Sequence, residues 1–100
     1  MSQTIRFDFK LDENGRSNYS YSKFTPIGSI DASVIVDKPL DTDFKVRVKS
    51  NAGTDENFII RTGSKKDLKI KLKVFGTSRI DVQIDTDKKN TDGHAMITLK

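Results

Sequence analysis

The chain has 100 residues, enough for one domain and too few for two. Leu, Ile, Val and Phe make up 27 of them, above the roughly 20% below which chains fail to fold, and no apolar run approaches the ~18 residues of a membrane helix. With no cysteine, one histidine, and 18 basic against 14 acidic residues (net +4), the composition excludes disulfide scaffolds, thiol nucleophiles, thiolate metal sites and His-rich metal sites.

Val, Ile, Thr, Phe and Tyr supply 33 residues, whereas the helix formers Ala and Glu supply three and two. Twelve of the 14 acids are Asp, whose side chain competes with backbone hydrogen bonds and so favours turns and caps. No apolar stripe of helical period has useful length, and strict alternation recurs instead. Segment 3–11 places Ile5, Phe7, Phe9 and Leu11 on one face. Asp12-Glu13-Asn14-Gly15 turns the chain into 18–24, which carries Tyr19, Tyr21 and Phe24. Thr25-Pro26-Ile27-Gly28 breaks it before 29–37, which alternates through Ile30, Ala32, Val34 and Val36. Lys38-Pro39-Leu40-Asp41 precedes 43–49, with Phe44, Val46 and Val48. A polar loop from Asn51 to Thr54 leads to 57–62, centred on Phe58, Ile59 and Ile60. Thr62-Gly63-Ser64 leads to 67–75, with Leu68, Ile70, Leu72 and Val74 inward. After Gly76-Thr77-Ser78 come 79–85, with Ile80, Val82 and Ile84, and then 94–99, with Ala95, Ile97 and Leu99.

Short strands at this spacing predict an all-β single domain over 1–100. The expected fold is an antiparallel β-sandwich, Ig-like or jelly-roll-like, of seven to eight short strands, with a small barrel as runner-up. There is no repeat, linker or low-complexity segment.

Charge is unevenly spread. Residues 44–79 hold ten basic and three acidic side chains, a net of +7, between segments of −2 and −1. Lys45, Arg47, Lys49, Lys69, Lys71 and Lys73 fall on the outer faces of two strands, and Lys65 and Lys66 extend the set. Lysines about 6.8 Å apart along a strand suit the phosphates of nucleic acid or the sulfates of an anionic glycan. A hairpin of 67–75 with 79–85 would instead set Lys73 opposite Asp81, Lys71 opposite Gln83 and Lys69 opposite Asp85, and this favours a solvated, partly paired face. Only Phe75 lies near these lysines to stack on a base.

The first hairpin admits two registers. A two-residue Asn14-Gly15 turn would put Tyr19 and Tyr21 beside Arg6, Asp8 and Lys10, making Tyr19, Tyr21, Arg6 and Lys10 a partner-contact set. A longer loop over 12–18 would pair Leu11 with Tyr19 and Phe9 with Tyr21, all facing the core. The aromatic area that a small domain needs favours the second.

Asp85, Asp87, Asn90 and Asp92 lie in one loop, with carboxylates at i, i+2 and i+7, as a calcium shell requires. Asp41 and Asp43 form a second D-x-D. The 85–93 loop resembles the calcium loops of C2-type and other β-sandwich domains, a resemblance that implies a bound calcium. It departs from them in holding Lys88 and Lys89 and in lacking a following bidentate Glu. Catalysis has less support. His94, at a strand start, has no Ser or Asp constellation identifiable from sequence, the Asp residues lie in Lys-rich solvated loops, and no Gly-rich phosphate cradle, G-x-S-x-G or Walker-type motif occurs. The expectation is a chain that is not an enzyme and needs no cofactor, calcium aside.

The leading expectation is therefore a structural or interaction module working by protein–protein contact or self-association, as subunits of surface appendages, adhesins and virions do. Gln3–Leu11 is the candidate for strand addition to a neighbour, against ordinary internal pairing. Met1-Ser2-Gln3 lacks the charged and apolar regions of a signal peptide, which fits a cytoplasmic chain or a mature secreted domain carrying an added Met.

Overall fold

The alternating segments form eight strands: β1 (Gln3–Lys10), β2 (Arg16–Thr25), β3 (Ser29–Lys38), β4 (Asp43–Ser50), β5 (Asp55–Arg61), β6 (Lys65–Lys71), β7 (Gly76–Asp85) and β8 (Asp92–Leu99). The computed structural model describes residues 3–100 except the side chain of Thr25, so Met1 and Ser2, part of the signal-peptide reading, lie outside the described residues. Two antiparallel sheets of four strands face each other, ordered β1-β8-β3-β6 and β2-β7-β4-β5. That order is a jelly roll, and the expected sandwich rather than the small barrel is the architecture.

Inward positions of both sheets make one core. Phe44, Leu11, Ile70, Ile80, Ile84, Ile97, Leu99 and several valines are fully buried. Period-two alternation forces this, because a slip of one residue would turn every apolar side chain of a strand to water.

Pairing differs from the local hairpins expected from sequence. Of the connections between consecutive strands, only β4 to β5 stays within a sheet; each of the others crosses the sandwich. The 67–75 and 79–85 hairpin does not exist: β6 pairs with β3, and β7 lies between β2 and β4. Gly76-Thr77-Ser78 is therefore no turn but the start of β7, matched to Phe24 and its neighbours. β6 stops at Lys71, and Val74, expected inward, is 62% exposed.

The first hairpin is likewise absent in either register, because β1 pairs with β8 and β2 with β7. The core-facing orientation of the tyrosines holds with different partners. Tyr19 and Tyr21 pack half-buried against the core, and Tyr19 stacks on Phe7 from the opposite sheet. The Asp12 carboxylate organises the crossing turn by accepting the backbone N–H groups of Asn14 and Arg16, at 2.8 and 3.0 Å. Gly15 closes it at φ +75°, where an added Cβ would run into the Thr86 carbonyl.

Candidate interaction surfaces

The eight basic residues singled out in sequence do not share a face. Lys45, Arg47 and Lys49 project from β4 on the outer side of one sheet. Lys65, Lys69 and Lys71 project from β6 on the outer side of the other, and Lys73 lies in the following loop. Lys66 turns inward at the sheet edge, its ammonium 5.8 Å from the Phe58 ring.

The polar pairs across the ladders are not the expected ones. Asp81, Gln83 and Asp85 of β7 stand opposite Lys49, Arg47 and Lys45 of β4. Lys69 stands opposite Asp31 of β3, 3.7 Å away as an ion pair. Arg47 makes a two-pronged contact with Asp55 at 2.8 and 2.7 Å, which holds that carboxyl below the usual range.

The tyrosine set is also divided. Tyr19 and Tyr21 turn between the sheets, whereas Arg6 and Lys10 are exposed on the outer side of β1. The Gln3 amide donates to the Tyr21 hydroxyl at 3.1 Å and accepts from Lys23 at 3.1 Å.

Nor does the acidic loop form a calcium shell. Asp85 accepts from Arg16 at 2.6 Å and from Gln83 at 2.8 Å, so both its oxygens are engaged. Asp92 opens β8 opposite Lys10, and Asp87 lies against the Thr86 hydroxyl. Asn90 takes a left-handed φ of 51° and donates its backbone N–H to the Asp12 carbonyl. Among the described residues, no three His, Cys, Asp or Glu side chains gather where they would hold a metal ion, and no helix is long and apolar enough to cross a membrane. His94 sits in β8 with Nδ1 2.7 Å from Asp37 on β3.

The fold does bring the two acidic loops side by side. Asp41 and Asp43 line an open cleft of about 700 Å³ with Arg61, Asp85, Asp87 and Lys88. Lys45, Ile59 and Asp85 also line a second hollow of about 430 Å³, which extends the cleft over the outer face of β4 and β5 toward Arg47, Asn57 and Gln83. Ile59 is 69% exposed in the middle of these ionic and amide groups.

At the opposite end of the sandwich lies a surface that the sequence reading passed over. Phe24, Ile27, Val74 and Phe75 are 67%, 49%, 62% and 74% exposed. They come from the ends of β2 and β6 and the loops that follow them. Hydrogen bonds hold these loops from behind: Leu72 N–H donates to the Gly28 carbonyl at 2.9 Å, and Lys73 N–H to Ser78 Oγ at 2.6 Å. Ser50 Oγ donates to the Lys71 carbonyl, and Lys71 N–H donates to Thr54 Oγ1, both at 2.7 Å. Phe75 itself takes φ 50°. Parity was the available signal for Phe24: if Tyr19 and Tyr21 face inward, a strand places residue 24 outward.

No known protein family matches the chain, and no curated protein is similar to it in sequence. Solved structures share its fold. The carbohydrate-binding module TmCBM61, solved in complex with beta-1,4-galactotriose, aligns with a TM-score of 0.56 at 20% identity, over 93% of this chain and 68% of that one. Tripeptidyl peptidase 2 gives a TM-score of 0.61 at 10% identity, where 93% of this chain corresponds to 8% of that chain. A Bacillus endospore appendage protein, from a novel family of disulfide-linked pili, gives 0.50 at 16% identity, over 99% of this chain and 84% of its own. At these identities the likeness shows the fold alone.

Proposed function

We propose that this chain is a non-catalytic interaction module that works by contact with a protein partner. The observation that supports this most is the apolar end formed by Phe24, Ile27, Val74 and Phe75. Large apolar side chains grouped at one exposed place, in a domain that buries its other inward residues well, mark a contact surface. The hydrogen bonds behind the loops, from backbone and from the hydroxyls of Ser50, Thr54 and Ser78, preform that surface, so association loses little conformational freedom. Lys73, exposed next to Val74 in the same loop, favours a partner with an acidic rim. The pilus subunit that shares the fold is an assembling protein.

A photo-cross-linking residue at position 75, introduced in cells that make the protein naturally, tests this reading. Discrete protein adducts from position 75, and none from a control at position 57 on the outer face of β5, are expected. Equal or absent adducts from the two positions reject it.

A second reading rests on the cleft around Ile59. Carboxylates, amides and ammonium groups around a small apolar platform suit a polyhydroxylated ligand, and a carbohydrate-binding module shares the fold. Titration with beta-1,4-galactotriose, followed by amide shifts, is expected to move Lys45, Ile59 and Gln83. Unmoved resonances at millimolar sugar reject that ligand.

A further inference from the structure

The edge strands of the sandwich differ in what guards them. β1 carries Arg6, Asp8 and Lys10 along its outer face, and β6, at the far side of the same sheet, carries Lys65, Lys66, Lys69 and Lys71. β5 carries Asp55, Glu56 and Arg61. Charges of this kind oppose the approach of another strand. β2 has no such protection: between Arg16 and Lys23 it runs Ser17-Asn18-Tyr19-Ser20-Tyr21-Ser22, without charge, proline or glycine. Its ten residues pair with β7 in unbroken register, with no bulge to twist the edge away.

Alternation fixes which backbone groups the free side of β2 offers. The Gly15 carbonyl accepts from Thr86 N–H on the β7 side at 2.9 Å, so the odd-numbered residues of β2 face β7 and the even-numbered residues face away. Arg16 is already satisfied by the turn, its carbonyl accepting from Asp12 N–H and its N–H donating to Asp12 Oδ1, each at 3.0 Å. Asn18, Ser20, Ser22 and Phe24 then present the open ladder, since β2 is the last strand of its sheet.

We infer that this edge receives a second copy of the chain, two β2 strands pairing antiparallel about a two-fold axis at Ser20. In that register Ser20 faces its own copy, Asn18 faces Ser22, and Arg16 faces Phe24. On the inner side Tyr19 faces Tyr21, and Ser17 faces Lys23. No like charges meet, Asn18 and Ser22 have complementary donors and acceptors, and Arg16 is offered the exposed Phe24 ring. Displacing the axis to Ser22 would set Asn18 against Pro26, which has no N–H to donate. Displacing it to Asn18 would set Ser22 against Asn14 in the turn. The strand is thus complementary to itself about its middle, as a two-fold contact requires, and pairing joins two four-stranded sheets into one continuous sheet. The inference shares Phe24 with the proposed apolar contact but rests on the open ladder of β2 rather than on Val74 and Phe75, and each can fail without the other.

Sedimentation over a concentration series up to about 1 mM tests it, with the wild-type chain expected to pass from monomer to dimer. Two double variants at exposed outer-face positions test the register. Asn18→Lys with Ser22→Lys sets lysine against lysine twice and is expected to weaken dimerisation about tenfold or more. Asn18→Lys with Ser22→Glu sets opposite charges together, and is expected to dimerise at least as well as wild type at low salt and less well as salt rises. A wild-type chain that stays monomeric throughout overturns the inference, as do two double variants of equal affinity. Should the dilysine variant unfold, a lysine–glutamate dimer indifferent to salt overturns it as well.

Discussion

The rings of Phe7 and Tyr19 lie face to face with centroids 4.0 Å apart and planes 7° from parallel, one from the edge strand of each sheet. β1 and β2 are consecutive in the chain yet share no ladder, so side chains rather than backbone close this side of the sandwich. Stacked rings contribute about 0.5–1.5 kcal/mol beyond the area they bury. Tyr19→Ala is therefore expected to destabilise the fold by about 2–3 kcal/mol, less than a fully buried aromatic because the residue is half-buried. A double-mutant cycle with Phe7→Ala in urea should return a coupling of about 1 kcal/mol, and strict additivity would show that the stack contributes nothing of its own.

Phe9 makes a different demand on its partner. It stands opposite Gly93 in the β1–β8 ladder, and a Cβ built on Gly93 would collide with the Cζ and Cε2 edge of the Phe9 ring and lie 2.7 Å from the Lys38 carbonyl. The glycine is there because the ring lies across its Cα. Gly93→Ala is expected to cost about 1–3 kcal/mol by forcing the ring aside. Adding Phe9→Leu should recover part of that loss in thermal melts, because a smaller side chain leaves room for the methyl group.

Most of the strands were legible in the sequence because each has one buried face that alternation records; β5 was legible instead as the apolar run Phe58-Ile59-Ile60, of which Ile59 faces water. Which strands pair was not legible. Alternation marks a side chain as inward without saying which sheet presents it, and in a jelly roll almost every loop changes sheets. The charge pattern shows the consequence. Asp81, Gln83 and Asp85 do meet Lys or Arg side chains across a ladder, but those of β4, which lies far earlier in the chain than β6. Opposite charge on facing strands is a property of the register, and several strands of this sequence satisfy it equally well. Reading 67–75 as one continuous strand carried the alternation past its true end, where Lys73 N–H bonds Ser78 Oγ instead of a ladder partner. The division of the basic residues between two outer faces follows from the same crossings.

That overrun gives a sharp contrast between two residues of similar type. Val74, 62% exposed, is expected to tolerate Val74→Ala within about 0.5 kcal/mol. Ile80, 1% exposed between the sheets, is expected to lose about 2–5 kcal/mol on Ile80→Ala. Chemical denaturation of the two variants checks both values, and comparable losses would place Val74 in the core.

Acid should weaken the fold through a small set of carboxylates. The Ser20 hydroxyl, at 2.6 Å, and then the Arg79 guanidinium hold Asp81 below its ordinary value of 3.8. Backbone N–H groups of Arg16 and Asn14 do the same for Asp12, and Arg47 does it for Asp55. Each group binds protons less readily in the folded chain than in the unfolded one. The stability it contributes is therefore fully present above the ordinary carboxylate value and is lost as pH falls through the lower, folded one. The protein should resist urea equally at pH 7 and about pH 5, then lose resistance below about pH 4. Asp81→Asn keeps an acceptor for Ser20 but removes the titration, so the variant should be less stable than wild type at neutral pH and approach it in acid. A wild-type-to-variant difference that stays constant from pH 7 to about pH 2 would show that proton binding at Asp81 is not linked to folding.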